Sequence, residues 1–169
     1  MACSCTCCPW KRKRSGKYHE DAREPVEGCP FCAISDGAEQ HRVLFQNERL
    51  VVIRNIRPQA LEHLLVIPRV HLANTDCMRP QDLELAEEME RVGREVLGRH
   101  APPGSSRTKF GYHVPPWRSV DHLHLHCMAL PHVPFWSALK YWQPGVWLGS
   151  EALIGRLKRQ GGVLGGQAM

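Results

Sequence analysis

The amino-acid sequence predicts one α+β domain built on an antiparallel β-sheet. Three observations support this prediction. The chain has 169 residues, which is enough for one sizeable hydrophobic core. Its first half contains short apolar runs separated by polar or proline-containing turns, as in antiparallel strands joined by short loops. One long segment then has the three- and four-residue apolar spacing of an amphipathic helix.

The ordered domain is predicted to begin at Gly28, with a short helix or turn over Cys29–Ile34. Three apolar runs follow, and each has the length of one strand. These runs are Val43–Phe45, Leu50–Arg54 and Leu64–Ile67, with turns at residues 46–48 and 58–59 between them.

The long helix is predicted to start near Pro80 and Asp82. Its apolar residues recur at helical spacing and define a buried stripe, whereas the charged residues between them define a solvent-facing side. The stripe comprises Leu85, Met89, Val92 and Val96, and the loop over residues 102–106 ends the segment.

Two further strands are predicted over Lys109–Val114 and His122–Leu130, on either side of a Pro115–Pro116 turn. A short closing helix is predicted over Glu151–Arg159. The domain therefore spans residues 28–160, and residues 161–169 are expected to form a disordered C-terminal tail.

Residues 1–27 are expected to form a disordered N-terminal tail, because they mix cysteine, serine and charge without apolar periodicity. The basic run Lys11–Arg14 leaves three alternatives open. It is a nuclear import signal, part of a membrane anchor in which Cys7 and Cys8 are palmitoylated, or a solvated tail without a specific role.

The charge of the chain is concentrated in that tail. Four of the 22 Lys and Arg residues lie in Lys11–Arg14, and the remaining 18 nearly balance the 17 acidic residues. A nearly neutral domain lacks the basic face typical of nucleic-acid binding, so nucleic acid is not an expected partner. No apolar run approaches the ~20 residues of a transmembrane helix, and no secretory signal is evident. We expect the protein in the cytoplasm and the nucleus.

Three histidines, His122, His124 and His126, alternate with apolar residues in the last predicted strand. Because successive side chains of a strand point to opposite faces, the three imidazoles are expected to share one face. Neighbouring imidazoles can supply a nucleophile, a proton donor and hydrogen bonds to a phosphate, since their unperturbed pKa lies near physiological pH. The alternatives are a half-buried strand that carries histidines without a role, and a metal site.

The segment His122–Met128 and four others, in the same order, resemble the histidine triad superfamily of nucleotide hydrolases and transferases. The other segments are Cys29–Ile34, Asn55–Ala60, His63–His71 and Gly111–Pro116. Residues 111–116 are most similar to the third type of histidine triad nucleotide-binding protein, a branch that also resembles aprataxin.

The resemblance implies the histidine triad (HIT) fold, in which a five-stranded antiparallel sheet carries the long helix and a short C-terminal helix follows. Family members commonly dimerise through that helix and an edge strand, so the resemblance implies a homodimer. It also implies roles for four histidines. His124 attacks the α-phosphorus and forms a nucleotidyl-histidine, His126 contacts the phosphate and protonates the leaving group, and His122 and His63 orient the triad.

The resemblance further implies a nucleotide-binding set. Asn55 stands where the family has an aspartate that binds the ribose hydroxyls, and Ile56 would pack on the base or belong to the core. His113 and Ser119 are expected near the phosphate or the leaving group, although a serine before a strand is as often a backbone cap. The triad strand completes the set with His124, Leu125 and His126.

Cys29 and Cys32 form a Cys-x-x-Cys pair. Some triad proteins combine such a pair with histidines that match His63 and His122, which implies a candidate tetrahedral site for structural zinc. The alternative is two buried thiols that pack as apolar groups. No cofactor is expected to be required for the reaction.

The resemblance therefore predicts an adenosine 5'-monophosphoramidase that acts on AMP-amine conjugates and other purine nucleoside phosphoramidates. One alternative is an aprataxin-like hydrolase that removes adenylate from nucleic-acid ends, which the nearly neutral domain disfavours. The other is a non-catalytic scaffold protein with the same fold, which the intact triad disfavours.

Overall fold

The computed structural model describes residues 24–165. Of the two predicted tails, 1–27 and 161–169, residues 1–23 and 166–169 lie outside this range. The described helices are α1 (Pro30–Ser35), α2 (Leu83–His100) and α3 (Ser150–Gly165). The strands are β1 (Val43–Gln46), β2 (Leu50–Arg54), β3 (Glu62–Pro68), β4 (Arg107–His113), β5 (Leu125–Leu130) and β6 (Trp147–Gly149). A 3₁₀ helix over Phe135–Tyr141, called here the aromatic 3₁₀ helix, connects β5 to β6.

The sheet confirms the predicted antiparallel α+β fold but has six strands, in the order β1-β2-β3-β5-β4-β6. The expected number of five was too low because β6 was missed. This strand has only three residues, which is too short to show an alternating pattern. It pairs with β4 through Gly111, and a Cβ at that position would lie 2.5 Å from both the Leu148 carbonyl oxygen and the Trp147 ring. Glycine at position 111 therefore permits the contact.

Several boundaries differ from the sequence-based prediction, and two of the differences affect the triad and the C-terminal segment. β5 begins at Leu125, so His122 and His124 lie in the segment just before it, where the Leu123 N–H donates to the Leu72 carbonyl at 2.5 Å. Helix α3 begins at Ser150 and continues past Arg159 to Gly165, into the segment predicted as a tail. Two buried leucines on α3, Leu153 and Leu157, anchor it to the main core.

The helix α2 covers one face of the sheet with the predicted apolar stripe. Leu85, Met89, Val92 and Val96 are all buried there. The helix approaches the strands most closely at Gly93, where a Cβ would lie 2.6 Å from Cys127 Sγ and 3.2 Å from Val66 Cγ2. Helix α3 packs on α2 and extends this layer.

The opposite face of the sheet is covered by two separate groups. Helix α1 packs Phe31 and Ile34 on β2 and β3. The aromatic 3₁₀ helix packs Tyr141 on Met128 and Leu130 of β5. His126 shares this face with Leu65 of β3, because the two residues are paired in the sheet. The triad therefore lies between α1 and the aromatic 3₁₀ helix.

The homodimer stays a prediction. In one chain, β6 already pairs with residues 111–113 of β4, and α3 already packs on α2. In the described sheet, the edge strands to which a second chain could add are β1 and β6. Within residues 24–165, no helix combines the length and the apolar character that crossing a membrane requires.

Candidate active site

The structure brings four of the predicted histidines together at the centre of the sheet. His122, His124 and His126 are all buried, and so is His63 on β3, which pairs with Met128 next to the triad. The alternating apolar residues Leu123, Leu125 and Cys127 belong to the core under α2. The predicted separation of imidazoles and core residues is therefore observed, although only His126 lies within β5 itself.

His124 has a defined proton position. Its Nδ1 lies 2.6 Å from the main-chain carbonyl oxygen of His122, which can only accept a hydrogen bond. Nδ1 therefore carries the proton, and Nε2 of the neutral ring keeps its lone pair. Burial lowers the pKa of His124, so the ring is neutral at pH 7. A neutral imidazole with a free Nε2 is a competent nucleophile.

A chain of two hydrogen bonds sets the proton position of His126. The Gln59 N–H donates to His63 Nδ1 at 3.1 Å, so neutral His63 carries its proton on Nε2. From there it donates to His126 Nδ1, 2.8 Å away. His126 then carries its own proton on Nε2, which is buried and has no hydrogen-bond partner among the described residues. This N–H is available to a phosphate oxygen or a leaving group.

Burial is the main cause of the low basicity of the site. It lowers the pKa of His63 to about 3 and that of His122 to about 4. The pKa of His126 also falls well below its usual value through burial and through the charge that neighbouring imidazoles would add. These rings are therefore neutral at pH 7, and the hydrogen-bond assignments above apply to that state.

His113 on β4 adds a fifth imidazole to this cluster. Its ring centre lies 4.9 Å from that of His126. Its Nδ1 donates to the Val146 carbonyl at 3.3 Å, which leaves Nε2 as a buried acceptor without a partner among the described residues. Burial lowers the pKa of His113 to about 4. The structure thus places His113 beside the triad, as the sequence predicts.

Aromatic rings form two walls around the triad. Phe31 of α1 meets His124 edge-on, with ring centres 5.1 Å apart. On the other side, Tyr141 and Trp147 contact His126, with ring centres 6.0 Å and 5.8 Å away. The cleft therefore has an α1 side, next to His122 and His124, and a C-terminal side, next to His126.

The other predicted nucleotide-binding residues differ from one another in exposure and in hydrogen bonding. The Asn55 side chain accepts a hydrogen bond from the Arg57 N–H at 3.0 Å, and its Nδ2 lies 3.3 Å from His63 Nε2. Ile56 is 70% exposed in the loop after β2, so it does not belong to the core. Ser119 is exposed, and its side chain has no hydrogen bond to any described residue.

The predicted contact of Leu125 with a nucleotide stays a prediction, and its side chain does not face the cleft. Its side chain is fully buried in the core under α2, on the face opposite the triad. Alternation along the strand puts it there, because its neighbours His124 and His126 point the other way. A nucleotide in the cleft can therefore contact only the main chain of Leu125.

The cysteine pair lies beside the first histidine of the triad. The His122 Nε2 donates to the Pro68 carbonyl at 2.9 Å, so the Nδ1 of the neutral ring has a lone pair. That atom lies 3.4 Å from Cys29 Sγ and 3.6 Å from Cys32 Sγ. His71 completes the group, with its Nδ1 3.3 Å from Cys32 Sγ.

His63 was therefore the wrong histidine for this group. β3 runs antiparallel to β5, so His63 pairs with Met128 at the far side of His126, whereas His122 lies before the start of β5, next to Pro68. His71 follows the end of β3 and so reaches the cysteines. In the sequence, the only indication of a role for His71 was its place at the end of the family-like segment His63–His71.

The four side chains suit a zinc ion chemically. Their ligand atoms, from Cys29, Cys32, His71 and His122, all lie within 4.8 Å of one another. Two thiolates and two imidazoles are a common tetrahedral zinc set, and metal-ligand bonds of about 2.0–2.3 Å require ligand atoms spaced in this way. Because the His122 lone pair already faces the cysteines, this ring needs no change of tautomer to bind a metal.

Comparison with known proteins gives the family. Residues 28–141 match a protein-family profile described as scavenger mRNA decapping enzyme C-term binding. A bifunctional adenosine 5'-phosphosulfate phosphorylase/adenylylsulfatase, HINT4 of Arabidopsis thaliana, is 42% identical over 68% of this chain and 79% of its own length. The adenosine 5'-monophosphoramidase HINT3 of Mus musculus is 36% identical over 70% of this chain and 74% of its own length.

The chain belongs to the histidine triad superfamily. A solved structure agrees: a HIT family hydrolase from Legionella pneumophila Philadelphia 1 superimposes with a TM-score of 0.55 and 28% identity, over 69% of this chain and 99% of that one. The relatives support a nucleotide hydrolase of the HIT type.

The buried histidines predict how stability depends on pH. A histidine whose pKa is lower in the folded state binds its proton more readily in the unfolded state, so acid favours unfolding. The free energy of unfolding should therefore decrease by at least about 2 kcal/mol between pH 7 and pH 5, as pH falls through the unfolded-state pKa of about 6.5. Urea titrations at the two pH values measure this.

The matched variants are His63→Gln and His41→Gln, since His63 is buried and His41 is exposed. The decrease should be smaller in His63→Gln and unchanged in His41→Gln. An equal free energy of unfolding at pH 7 and pH 5 in the wild-type protein would contradict the assignment of neutral, buried imidazoles.

Proposed function

We propose that this protein is an adenosine 5'-monophosphoramidase, which hydrolyses the P–N bond between AMP and an amine. The observation that carries the proposal is the proton arrangement of the triad. His124 offers a free Nε2 lone pair, and His126 offers an N–H from the neighbouring position. A nucleophile and a proton donor next to each other suit a bond whose leaving group must gain a proton.

The reaction takes place in two displacements. In the first, His124 Nε2 attacks the α-phosphorus, the P–N bond breaks, and the amine nitrogen takes a proton from His126 Nε2. The negative charge left on the His126 ring is balanced by the positive charge that forms on the His124 ring, until water returns the proton in the second displacement. The product is a nucleotidyl-histidine and a free amine. In the second, water attacks the same phosphorus and gives a proton back to His126, and the P–N bond to His124 breaks to release AMP. The His122 carbonyl holds the Nδ1 proton of His124 throughout.

The test is an assay with an adenosine 5'-phosphoramidate that carries a fluorescent amine. Wild-type protein should release amine and AMP in equal amounts, and rapid quenching should trap an adenylyl adduct that mass spectrometry locates on His124. Release of amine without this adduct would contradict the covalent route. No turnover of any phosphoramidate would reject the proposed activity.

A second candidate is hydrolysis or phosphorolysis of adenosine 5'-phosphosulfate, and the 42% identity to HINT4 favours it. The same two histidines would serve, but sulfate leaves as an anion and needs no proton donor. The two candidates are separated by a direct comparison of kcat/KM for both substrates, with and without inorganic phosphate. A His126→Ala variant should lose more activity on the phosphoramidate than on the phosphosulfate.

The nucleoside is proposed to bind next to Asn55 and Ile56, in the part of the cleft beside His63. An aspartate at position 55 would offer the ribose hydroxyls a charged acceptor. We expect Asn55→Asp to lower KM about fivefold for a ribonucleotide phosphoramidate, which corresponds to about 1 kcal/mol. The KM for the 2',3'-dideoxy analogue should not change. Equal changes for the two sugars would mean that Asn55 does not contact the ribose.

We further propose that Cys29, Cys32, His71 and His122 bind one structural zinc ion. The purified protein should then contain about one zinc per chain and should melt at a lower temperature after treatment with a chelator. The variant His71→Ala should lose the metal, whereas His63→Ala should retain it. Equal zinc contents in the two variants would reject this set of ligands, and a metal-free protein with an unchanged Tm would leave the thiols as packing residues.

A further inference from the structure

A second cavity lies on the same side of the sheet as the triad, next to β4 and β5. Its volume is about 300 Å³, which lies at the lower end of the range for small-molecule sites. Two basic side chains, Arg107 and Lys109, line it together with the rings of His132 and Trp142 and the apolar side chain of Leu130.

This cavity is separate from the active site. Lys109 pairs with Met128 and Arg107 pairs with Leu130, so both lie beyond Gly111, the residue that pairs with His126. Each two-residue step along a strand adds about 7 Å. Tyr141 stands between the two sites: one side of its ring stacks on His132, with ring centres 5.3 Å apart, and its edge meets the triad.

The basic residues of the cavity have no acidic partner. Among the residues that the structure describes, no carboxylate forms an ion pair with Arg107 or Lys109. The pKa of Lys109 is lowered by burial and then by the charge of Arg107. The Lys109 ammonium donates one hydrogen bond, to the Tyr141 carbonyl, and an ammonium has three donors. The ammonium also lies 5.3 Å from the centre of the Trp147 ring, so at least one of its other N–H groups is left for a ligand.

The rest of the lining suits an apolar or aromatic group. Trp142 is 80% exposed, so its indole face is open to a ligand, and Leu130 supplies a buried aliphatic surface. Two uncompensated positive charges beside flat and aliphatic surfaces are complementary to a molecule with an anionic end and an apolar body.

We propose that this cavity is a second binding site, for an organic anion that carries a carboxylate or a phosphate on an aromatic or apolar group. Arg107 and Lys109 bind the anionic group, and Trp142 packs on the body of the ligand. A bound anion also offsets the repulsion between the two basic side chains, which favours binding further. The site does not depend on the proposed phosphoramidase activity.

Phenyl phosphate and phenylacetate are suitable probes, with benzyl alcohol as the neutral control. Binding is measured by calorimetry on the full chain without AMP, because AMP is itself a phosphate on an aromatic group and would compete for this cavity. The Arg107 variants described next separate binding here from binding in the triad cleft. We expect at least one of the two anions to bind at least tenfold more tightly than benzyl alcohol. Comparison of the two anions shows whether the site prefers phosphate or carboxylate.

Arg107 is exposed on its strand, so its replacement should not prevent folding. We expect Arg107→Gln to weaken binding of the preferred anion about tenfold and Arg107→Lys to restore most of it. Arg91→Gln, on the exposed side of α2, is the matched control and should have no effect. The proposal is overturned if neither anion binds, if benzyl alcohol binds equally well, or if Arg107→Gln and Arg91→Gln bind the preferred anion alike.

Discussion

Replacing His124 by alanine should reduce the rate of phosphoramidate hydrolysis on the order of a thousandfold or more and should abolish the adenylyl adduct. The Nδ1 of His124 donates to the His122 carbonyl, so its Nε2 has a free lone pair. In His122 and His126 the proton is on Nε2 instead. Without His124, the reaction has no covalent route. Single-turnover kinetics and intact-protein mass spectrometry measure the two effects.

The ground state should change much less. The alanine variant should bind AMP within about tenfold of the wild-type affinity, because it loses the nucleophile but keeps His126, His113 and the part of the cleft beside His63. A variant that keeps more than about a tenth of the wild-type rate would show that another group attacks the phosphorus. Loss of AMP binding by more than a hundredfold would instead assign His124 to ground-state binding.

The second large effect concerns stability. Gly93→Val should lower the free energy of unfolding by about 2–3 kcal/mol, because the added side chain meets a packed sheet. Its Cβ alone would lie 2.6 Å from Cys127 Sγ, and Cys127 is fully buried in the packed core. The helix α2 would have to move away from the strands. Denaturation in urea measures the loss.

Gly98→Val on the same helix is the matched control. A Cβ at Gly98 has no atom within 4 Å, so this variant should change the free energy of unfolding by less than about 0.5 kcal/mol. If the two variants lost the same stability, the effect would come from valine in a helix and not from contact with the sheet.

Periodic features of the sequence predicted most of the architecture. The apolar stripe of α2 and the alternation around His122–His126 are both set by local geometry, which a sequence displays directly. β6 was not predicted, because its three residues are held by pairing with Gly111, a contact between distant segments. The same holds for the length of α3, which depends on the burial of Leu153 and Leu157 in the main core.

The site also combines features that the sequence displays directly with features that depend on contacts between distant segments. The four histidines that the resemblance implied for the triad do meet, because the motif carries three of them and strand pairing brings His63 to His126. The cysteine pair contacts His71 and not His63, because the C-terminal end of β3 lies next to α1 and His63 is near the other end. The sequence does not show which end of β3 lies there. Alternation along the strand places the Leu125 side chain in the core, so its predicted contact with a nucleotide involves the main chain. The cavity at Arg107 and Lys109 has no sequence motif at all.

The proton positions of the imidazoles depend on main-chain groups. The Gln59 N–H, the His122 carbonyl, the Pro68 carbonyl and the Val146 carbonyl each hold one ring. A main-chain group is retained when the side chain on it changes. Positions 59 and 146 can therefore vary widely between relatives without any change in catalysis, except that proline at position 59 would remove the N–H. A search for invariant residues would overlook both positions, although the tautomers of His63 and His113 depend on them.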